Sequence, residues 1–347
     1  MHKAISLLMG LLIFSFTITS VLIIPFINLL YKFRFQRKKQ ETKDAFNRPT
    51  PIFDRFHKHK AGTPIGGGFL VVLLVSLQFA ILLPLLKYLG VFVSANFPIN
   101  DEINILFFTF FTFALLGLYD DIMKFFNIQK TGFFGLRLRH KLIIQIALAL
   151  IIACLMHFNL KISIFYVPFI GVFNIGLLFI PLATFIIIFF TNAVNITDGL
   201  DGLAGGVLMI ALFALWILSA SILDTPISIF IALWLGALIA FLYFNINPSR
   251  LMMGEVGALS FGATFAVIGI LLGKSMALLI IGGVFVLEIT SSFLQLLSKK
   301  FFKKKLMPVA PFHLLLQLKG WEEPKIVFRA WLATLMLAIF GLWLAIV

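Results

Sequence analysis

The sequence predicts an all-α integral membrane protein with about ten transmembrane helices, both termini extracytoplasmic and a candidate active site on the cytoplasmic face. Three observations carry this. Of 347 residues 61% are apolar and only 12% charged, with mean hydropathy +1.08. No water-soluble domain hides so much Phe, Leu and Ile, because part of any fold faces solvent. Apolar runs recur at roughly the 20-residue length that a helix needs to cross the hydrocarbon core. Finally, 24 of the 28 Lys and Arg residues fall in alternate connections, leaving only Lys3, Lys87, Lys161 and Lys274 on the other side. By the positive-inside rule the basic side is cytoplasmic. The net charge of +14 would point to nucleic acid in a soluble protein. Here it follows membrane sidedness, and no nucleic-acid partner is expected.

The spans are expected at 4–30, 66–89, 103–119, 139–158, 176–192, 199–220, 227–247, 258–273, 276–297 and 326–346. They form one polytopic domain, residues 1–347, with cytoplasmic connections near 31–65, 120–138, 192–199, 248–257 and 298–325. The first span is too long for a signal-peptide core and lacks a small-residue cleavage site, so it is expected to be retained. The single Cys154 excludes a disulfide within the chain and a cysteine-based zinc site.

Segment 31–65 is basic, as expected for attraction to anionic headgroups. It ends in His57-Lys-His-Lys60-Ala-Gly-Thr63-Pro64-Ile-Gly-Gly-Gly68. Glycines before a helix can present backbone amides to a phosphate, although Gly62-x-x-x-Gly66 serves close helix packing equally well. The third span ends in Asp120-Asp121-x-x-Lys124. Adjacent carboxylates at a membrane edge need a cation or water, and Lys124 lies one turn away. Segment 159–175 is expected outside, as a short hairpin without chemistry.

Asn192-Ala-Val-Asn195-Ile-Thr-Asp198-Gly-Leu-Asp201-Gly-Leu-Ala-Gly-Gly206 sets two amides and two carboxylates three residues apart. In a regular helix each step of three drifts by about 60°. The glycines at 199, 202, 205 and 206 let the chain break, so that the four groups converge; helix-end capping is the alternative reading. Further on come Asn245-Ile-Asn247-Pro248, Met252-Met-Gly254-Glu255-Val-Gly257 and an intramembrane Glu288 beside Thr290 and two serines. Glu288 is a functional candidate by default, though its neighbours favour a packing role. His313 lies in the last cytoplasmic connection, followed by Leu318-Lys-Gly-Trp321.

These acidic motifs gather on the cytoplasmic side, and no comparable cluster is expected outside. An oxygen-rich site without a Cys/His set suits Mg²⁺ better than zinc. A basic, carboxylate-lined membrane site suits phosphoryl transfer from a soluble phosphorylated donor to a lipid.

Three motifs carry a family likeness: Asp120-Asp121-x-x-Lys124, Asn192-x-x-Asn195-x-x-Asp198-Gly-x-Asp201-Gly-Leu-Ala and Gly254-Glu255-x-Gly257. They resemble the polyprenyl-phosphate N-acetylhexosamine-1-phosphate transferases. His57-x-x-Lys60-x-Gly-Thr-Pro, Ala310-Pro-Phe-His313 and Leu318-Lys-Gly-Trp321-x-Glu-Pro324 narrow the likeness to the phospho-N-acetylmuramoyl-pentapeptide transferases, from about residue 55 to the end. The resemblance implies a multi-pass protein of the bacterial cytoplasmic membrane, with a broken ninth helix and usually a homodimer. It implies transfer of phospho-N-acetylmuramoyl-pentapeptide from its uridine nucleotide to undecaprenyl phosphate, giving UMP and lipid I for peptidoglycan.

By position, Asp120 and Asp121 would deprotonate or orient the lipid phosphate. Asn195 and Asp198 would hold the diphosphate and metal environment, Glu255 would ligate Mg²⁺, and His313 would lie beside the diphosphate. Lys60, Asp201 and Asn245 would meet the nucleotide and Lys124 a phosphate; Thr63 and Asn192 complete the substrate-binding set. The family's departures fall at the metal-binding aspartate, here Glu255, and at the aromatic expected on uracil, here Met252. A histidine triplet is reduced to His313-Leu314-Leu315, an acid becomes Gln317, and Ile65 replaces a threonine. Two alternatives therefore stay open: a sister enzyme using another UDP-N-acetylamino sugar, and a catalytically weak or dead homologue that binds polyprenyl phosphate. A transporter ranks last, because the acids gather at one face.

Overall fold

The structure is a computed structural model that describes residues 2–36, 49–126 and 138–346. The lysine-rich part of the first connection and most of the second lie outside the described residues. Among the described residues the regular structure is mainly long apolar helices with a few short elements between them. Helix α1 spans His2–Lys32 and α2 is the short Pro51–His57, begun by a proline at its first turn. There follow α3 (Gly67–Tyr88), α4 (Ile99–Phe126), α5 (Leu138–Phe158), α6 (Phe179–Thr197) and α7 (Leu203–Ser221). Then come α8 (Thr225–Asn245), α9 (Gly254–Leu271), α10 (Ser275–Ile281), α11 (Gly283–Leu297), α12 (Phe312–Leu318) and α13 (Glu323–Ile346). Between α5 and α6 lies an antiparallel hairpin, β1 (Ile164–Val167) against β2 (Gly171–Asn174), where the sequence places one.

Among the described residues nine helices are long and apolar enough to cross a membrane. The pair α10–α11 is bent by 80° and makes a tenth if it counts as one span. The break falls at Gly282-Gly283, where close neighbours leave no room for a side chain. A Cβ at 282 would meet Phe190 of α6 at 2.6 Å, and one at 283 would meet Leu337 of α13 at 2.9 Å.

Helices α8 and α9 lie at the centre and are buried nearly all round. Trp234, Phe230, Phe110 and Phe261 interlock there, with ring centroids 5.2–6.1 Å apart and mostly edge to face. Around this pair, α1 packs on α8, where Ser15 donates to the Leu233 carbonyl (2.7 Å). Helix α4 packs on α9 through Gly117, which meets the backbone of Glu255 and Val256. Helix α6 covers another side of α9. The functional consequence is that the ends of α4, α5, α6 and α9 are brought to one spot.

The opposite end of the bundle corrects one sequence expectation. An acidic pair does form there: Glu102 of α4 packs beside Asp224, and both are buried. Asp224 caps α8 by accepting from Ile227 N–H (3.2 Å) and also accepts from Asn96. Burial pushes its carboxyl upward against those hydrogen bonds. The two acids are far apart in sequence, so no spacing announced them.

Candidate active site

Helix α4 runs to Phe126, so Asp120, Asp121 and Lys124 stand on its last turns. Lys124 bonds Asp120 one turn back (2.9 Å) and reaches Glu255 Oε1 on α9 (2.6 Å). Lys141 on α5 pairs with Glu255 Oε2 and with Asp120 (3.4 Å). Asn195 of α6 donates to the same Glu255 Oε2 at 2.6 Å. Four helices thus meet on one carboxylate. Asp121 accepts from Val256 N–H (3.4 Å) at the first turn of α9, where the helix dipole favours an anion. No motif in the sequence singles out Lys141. Its signal was position: it begins an apolar span beside exposed Arg139 and His140, yet it is buried.

A second cluster locks the turn between α6 and α7. Lys60 is buried between Asp201 (2.8 Å) and Glu323 (2.6 Å) and donates to the Gly199 carbonyl (3.2 Å). Glu323 also accepts from Asp201 N–H. Asp201 takes Ser249 N–H (3.0 Å) and the Asn247 amide (3.3 Å). Gly202 adopts the left-handed conformation, φ +80°, and its N–H donates to Asn245 Oδ1 (3.2 Å). His57 lies with Nε2 2.8 Å from the Gly199 carbonyl and Nδ1 2.9 Å from that of Phe53. Burial, with the Lys60 charge adding to it, lowers its pKa to about 4.

Between the clusters sits Asp198, just past the end of α6. Its carboxylate takes no hydrogen-bond partner among the described residues. Burial pushes its pKa up to about 8, against the pull of Lys60 and with repulsion from Glu255, Asp201 and Asp121. On its other flank, His313 packs against Gly199, where a Cβ would meet its Nε2 at 2.5 Å. Its Nδ1 is 3.0 Å from Glu288 Oε2, and its backbone N–H donates to the same carboxylate (3.1 Å). That leaves Nε2 buried without a partner among the described residues. Glu288, expected to serve packing, holds this histidine.

The four groups of the 192–201 stretch do not converge as expected. Asn192 turns onto α5 and donates to Gln145 Oε1 (2.8 Å), Asn195 reaches Glu255, and Asp201 reaches Lys60. Of the four, only Asp198 takes no side-chain hydrogen-bond partner among the described residues. Asn245 spends its amide on the Leu251 carbonyl (3.0 Å) and its oxygen on Gly202, so it positions backbone. Met252 contributes its main chain, taking N–H bonds from Gly66 (3.1 Å) and Gly67 (2.9 Å) and donating to the Pro64 carbonyl (2.9 Å). Thr63 is half-buried in the same turn and donates its N–H to the Lys60 carbonyl (3.2 Å).

Carboxylate oxygens supply most of the groups able to hold a metal, with the His313 imidazole beside them. Among the described residues no three acidic, His or Cys side chains close on a point as a protein-only metal cage would require. The set fits a cation held by one or two carboxylates together with substrate phosphates, the usual way Mg²⁺ is bound.

Residues 103–273 match the glycosyl transferase family 4. The chain is 36% identical over 302 residues to the phospho-N-acetylmuramoyl-pentapeptide-transferase of Staphylococcus epidermidis, covering 84% of this chain and 87% of that one. It is 32% identical over 343 residues to that of Bacillus subtilis, covering 98% and 97%. Against that of Caldanaerobacter subterraneus it is 32% identical over 322 residues, 93% of each. With the carboxylate-lysine cluster, the Asp198 turn and the His313 loop assembled from the motifs that suggested the likeness, the chain belongs to the phospho-N-acetylmuramoyl-pentapeptide-transferases of glycosyl transferase family 4.

Proposed function

We propose that the protein transfers phospho-N-acetylmuramoyl-pentapeptide from UDP-N-acetylmuramoyl-pentapeptide to undecaprenyl phosphate at the cytoplasmic face of the bacterial cytoplasmic membrane. An acceptor phosphate oxygen bonds to the sugar-bearing phosphorus of the donor diphosphate. The bridging P–O bond breaks, its electron pair leaves with UMP, and lipid I is formed. The supporting observation is the single carboxylate of Glu255 gripped by Lys124, Lys141 and Asn195, next to Asp198, whose carboxyl takes no hydrogen-bond partner among the described residues.

Phosphoryl transfer asks for positioning and charge neutralisation more than covalent chemistry. Lys124 and Lys141 are placed to neutralise phosphate oxygens, and Asp120 with Asp121 to orient the acceptor head. Lys60, Asp201 and Asn245 shape the turn that faces the nucleotide, with Thr63 and Met252 in the segment beside it. Asn192 supports the set through α5. His313 turns its free Nε2 toward the Asp198 turn. Mg²⁺, when bound at Glu255 and Asp198, supplies further charge neutralisation on the diphosphate. The reading extends to a homodimer embedded in membrane lipid.

Purified protein in detergent, given the pentapeptide donor, undecaprenyl phosphate and Mg²⁺, is expected to release UMP and lipid I. Absence of both, with a known transferase active in parallel, overturns the reading. A second reading, a sister enzyme for another UDP-N-acetylamino sugar, is favoured by buried Leu314 and by Gln317, whose buried Oε1 lacks a partner among the described residues. A donor panel separates the two, and preference for UDP-N-acetylglucosamine selects the sister. If neither donor is used, rescue by Glu255→Asp with Met252→Phe identifies a weakened homologue.

A further inference from the structure

The β1–β2 hairpin follows the end of α5 remote from Lys141, so it lies across the bundle from the candidate site. From Ile162 to Thr197 the chain has no Asp, Glu, Lys or Arg. Phe169 and Ile170 at the hairpin turn are 70% and 72% exposed, and Ile164, Val172 and Phe173 of its strands are exposed as well. So many bare apolar side chains on one short ribbon mark an interaction surface. Each strand has four residues, too short to cross a bilayer, for which about nine to eleven are needed.

Two contacts set the height of the ribbon. The Phe169 ring lies 5.8 Å from that of Trp343, three residues before α13 ends at Ile346. At 1.5 Å per residue the turn is held about 4.5 Å inside the end of that span. Lys274 stands over the Tyr166 ring at 4.8 Å and donates to the Ala345 carbonyl, tying the ribbon to α10 and α13. Much of the ribbon backbone is paired internally, as the edge of the hydrocarbon zone demands. Phe165 lies opposite Phe173, Ile175 N–H donates to the Ser163 carbonyl (2.8 Å) and Ile170 N–H to that of Val167 (3.2 Å). The bare surface continues onto α6 and α13, where Phe185, Phe340 and Trp343 are exposed.

We propose that this hairpin is an interfacial membrane anchor, with Phe169 and Ile170 seated among phospholipid chains just beneath the headgroups of the leaflet away from the site. The occupant is lipid, because the bare side chains lie on the turn, on both strands and on the adjoining helices. A fluid covers such an irregular surface, whereas a folded partner covers one face. Tyr166 and Trp343 then lie in the aromatic belt, and exposed Lys161 extends to headgroup phosphates. Seated in this way, the ribbon braces the ends of α6, α10 and α13 against the bilayer. The anchor does not depend on the reaction proposed above.

Full-length protein carrying Cys154→Ser and Ile170→Cys is labelled with bimane and placed in nanodiscs at one copy per disc. Phospholipid brominated near the top of its chains is expected to quench the label strongly, and iodide in the buffer only weakly. Val172→Cys gives a second position, read in the same way. Strong quenching by iodide with none by brominated lipid puts the ribbon in water and overturns the anchor. Protection from both quenchers puts it under protein and overturns it equally. Ile170→Asp removes little protein packing, so a turn in water would keep the wild-type Tm. A turn in lipid has to bury the charge, and Tm in nanodiscs is expected to fall by several degrees, while Ile170→Leu melts as the wild type does. Equal Tm for all three proteins overturns the anchor as well.

Discussion

Glu288 of α11 holds His313 of α12 by both its backbone and its ring, with Nδ1 3.0 Å from Oε2. The carboxylate lies on the far side of the helix break at Gly282-Gly283, so the bend and the histidine form one device. Donation from Nδ1–H to the Glu288 carboxylate fixes the tautomer and leaves Nε2 beside the Asp198 turn. Glu288→Gln keeps the shape but loses the negative partner. We expect kcat to fall roughly ten- to a hundredfold, at or below the usual range for a positioned proton-transfer group, with KM for both substrates little changed. His313→Asn should cost at least as much, and the double variant no more than the larger single loss. Additive losses would show that Glu288 acts elsewhere.

Lys141 supplies the second prediction. It is buried against Glu255 and Asp120, and removing one partner of a buried pair leaves charge uncompensated. Lys141→Met is expected to lower stability by roughly 3–5 kcal/mol, seen as a reduced Tm in detergent, and to abolish transfer. Lys141→Arg should restore most of the stability. A Met variant with wild-type Tm and rate would remove Lys141 from the site.

These two residues also show what the sequence could and could not disclose. Span number, the hairpin at 164–174 and the gathering of acidic motifs were readable because they depend on local composition and period. The helix break was expected from family likeness, and its physical reason is the pair of close approaches at Gly282 and Gly283. Partner choice was not readable. Lys141, Glu288, Glu323 and the Glu102–Asp224 pair act across the bundle, between residues separated by 21 to 263 positions in the case of the salt bridges. The expectation that Asn192, Asn195, Asp198 and Asp201 converge failed for a related reason. Asn192, Asn195 and Asp201 each found a partner on a different element while Asp198 took none among the described residues, which periodicity along one helix cannot reveal.

The His57 ring gives a pH dependence with a definite sign. Its pKa falls from 6.5 to about 4 in the folded protein. Between those values the unfolded chain binds the proton and the native one does not, so stability rises with pH there. The contribution is complete above about 6.5 and is lost as pH falls toward 4. On acidification from pH 7 to 4.5, Tm should drop more steeply in the wild type than in His57→Gln, which has no titrating ring. Parallel slopes would show that the ring is accessible to protons without unlocking the Lys60 turn.

Between the two carboxylates of its stretch, Asp198 is the one without a hydrogen-bond partner among the described residues, and that makes it the cleanest test of the site. Asn is isosteric and neutral, and burial already disfavours the charged form, since the group's pKa is pushed up to about 8. Asp198→Asn should therefore fold normally, with Tm at pH 7 equal to or above that of the wild type. Its transfer rate should fall at least about a hundredfold, the loss usual when a group that handles charge in the transition state is removed. The comparison with Asp201→Asn separates site from scaffold. Asp201 takes Lys60, Ser249 and Asn247 at once, so its loss should lower Tm together with the rate. If Asp198→Asn behaves the same way, or retains a near-normal rate, the turn after α6 is not where the diphosphate sits.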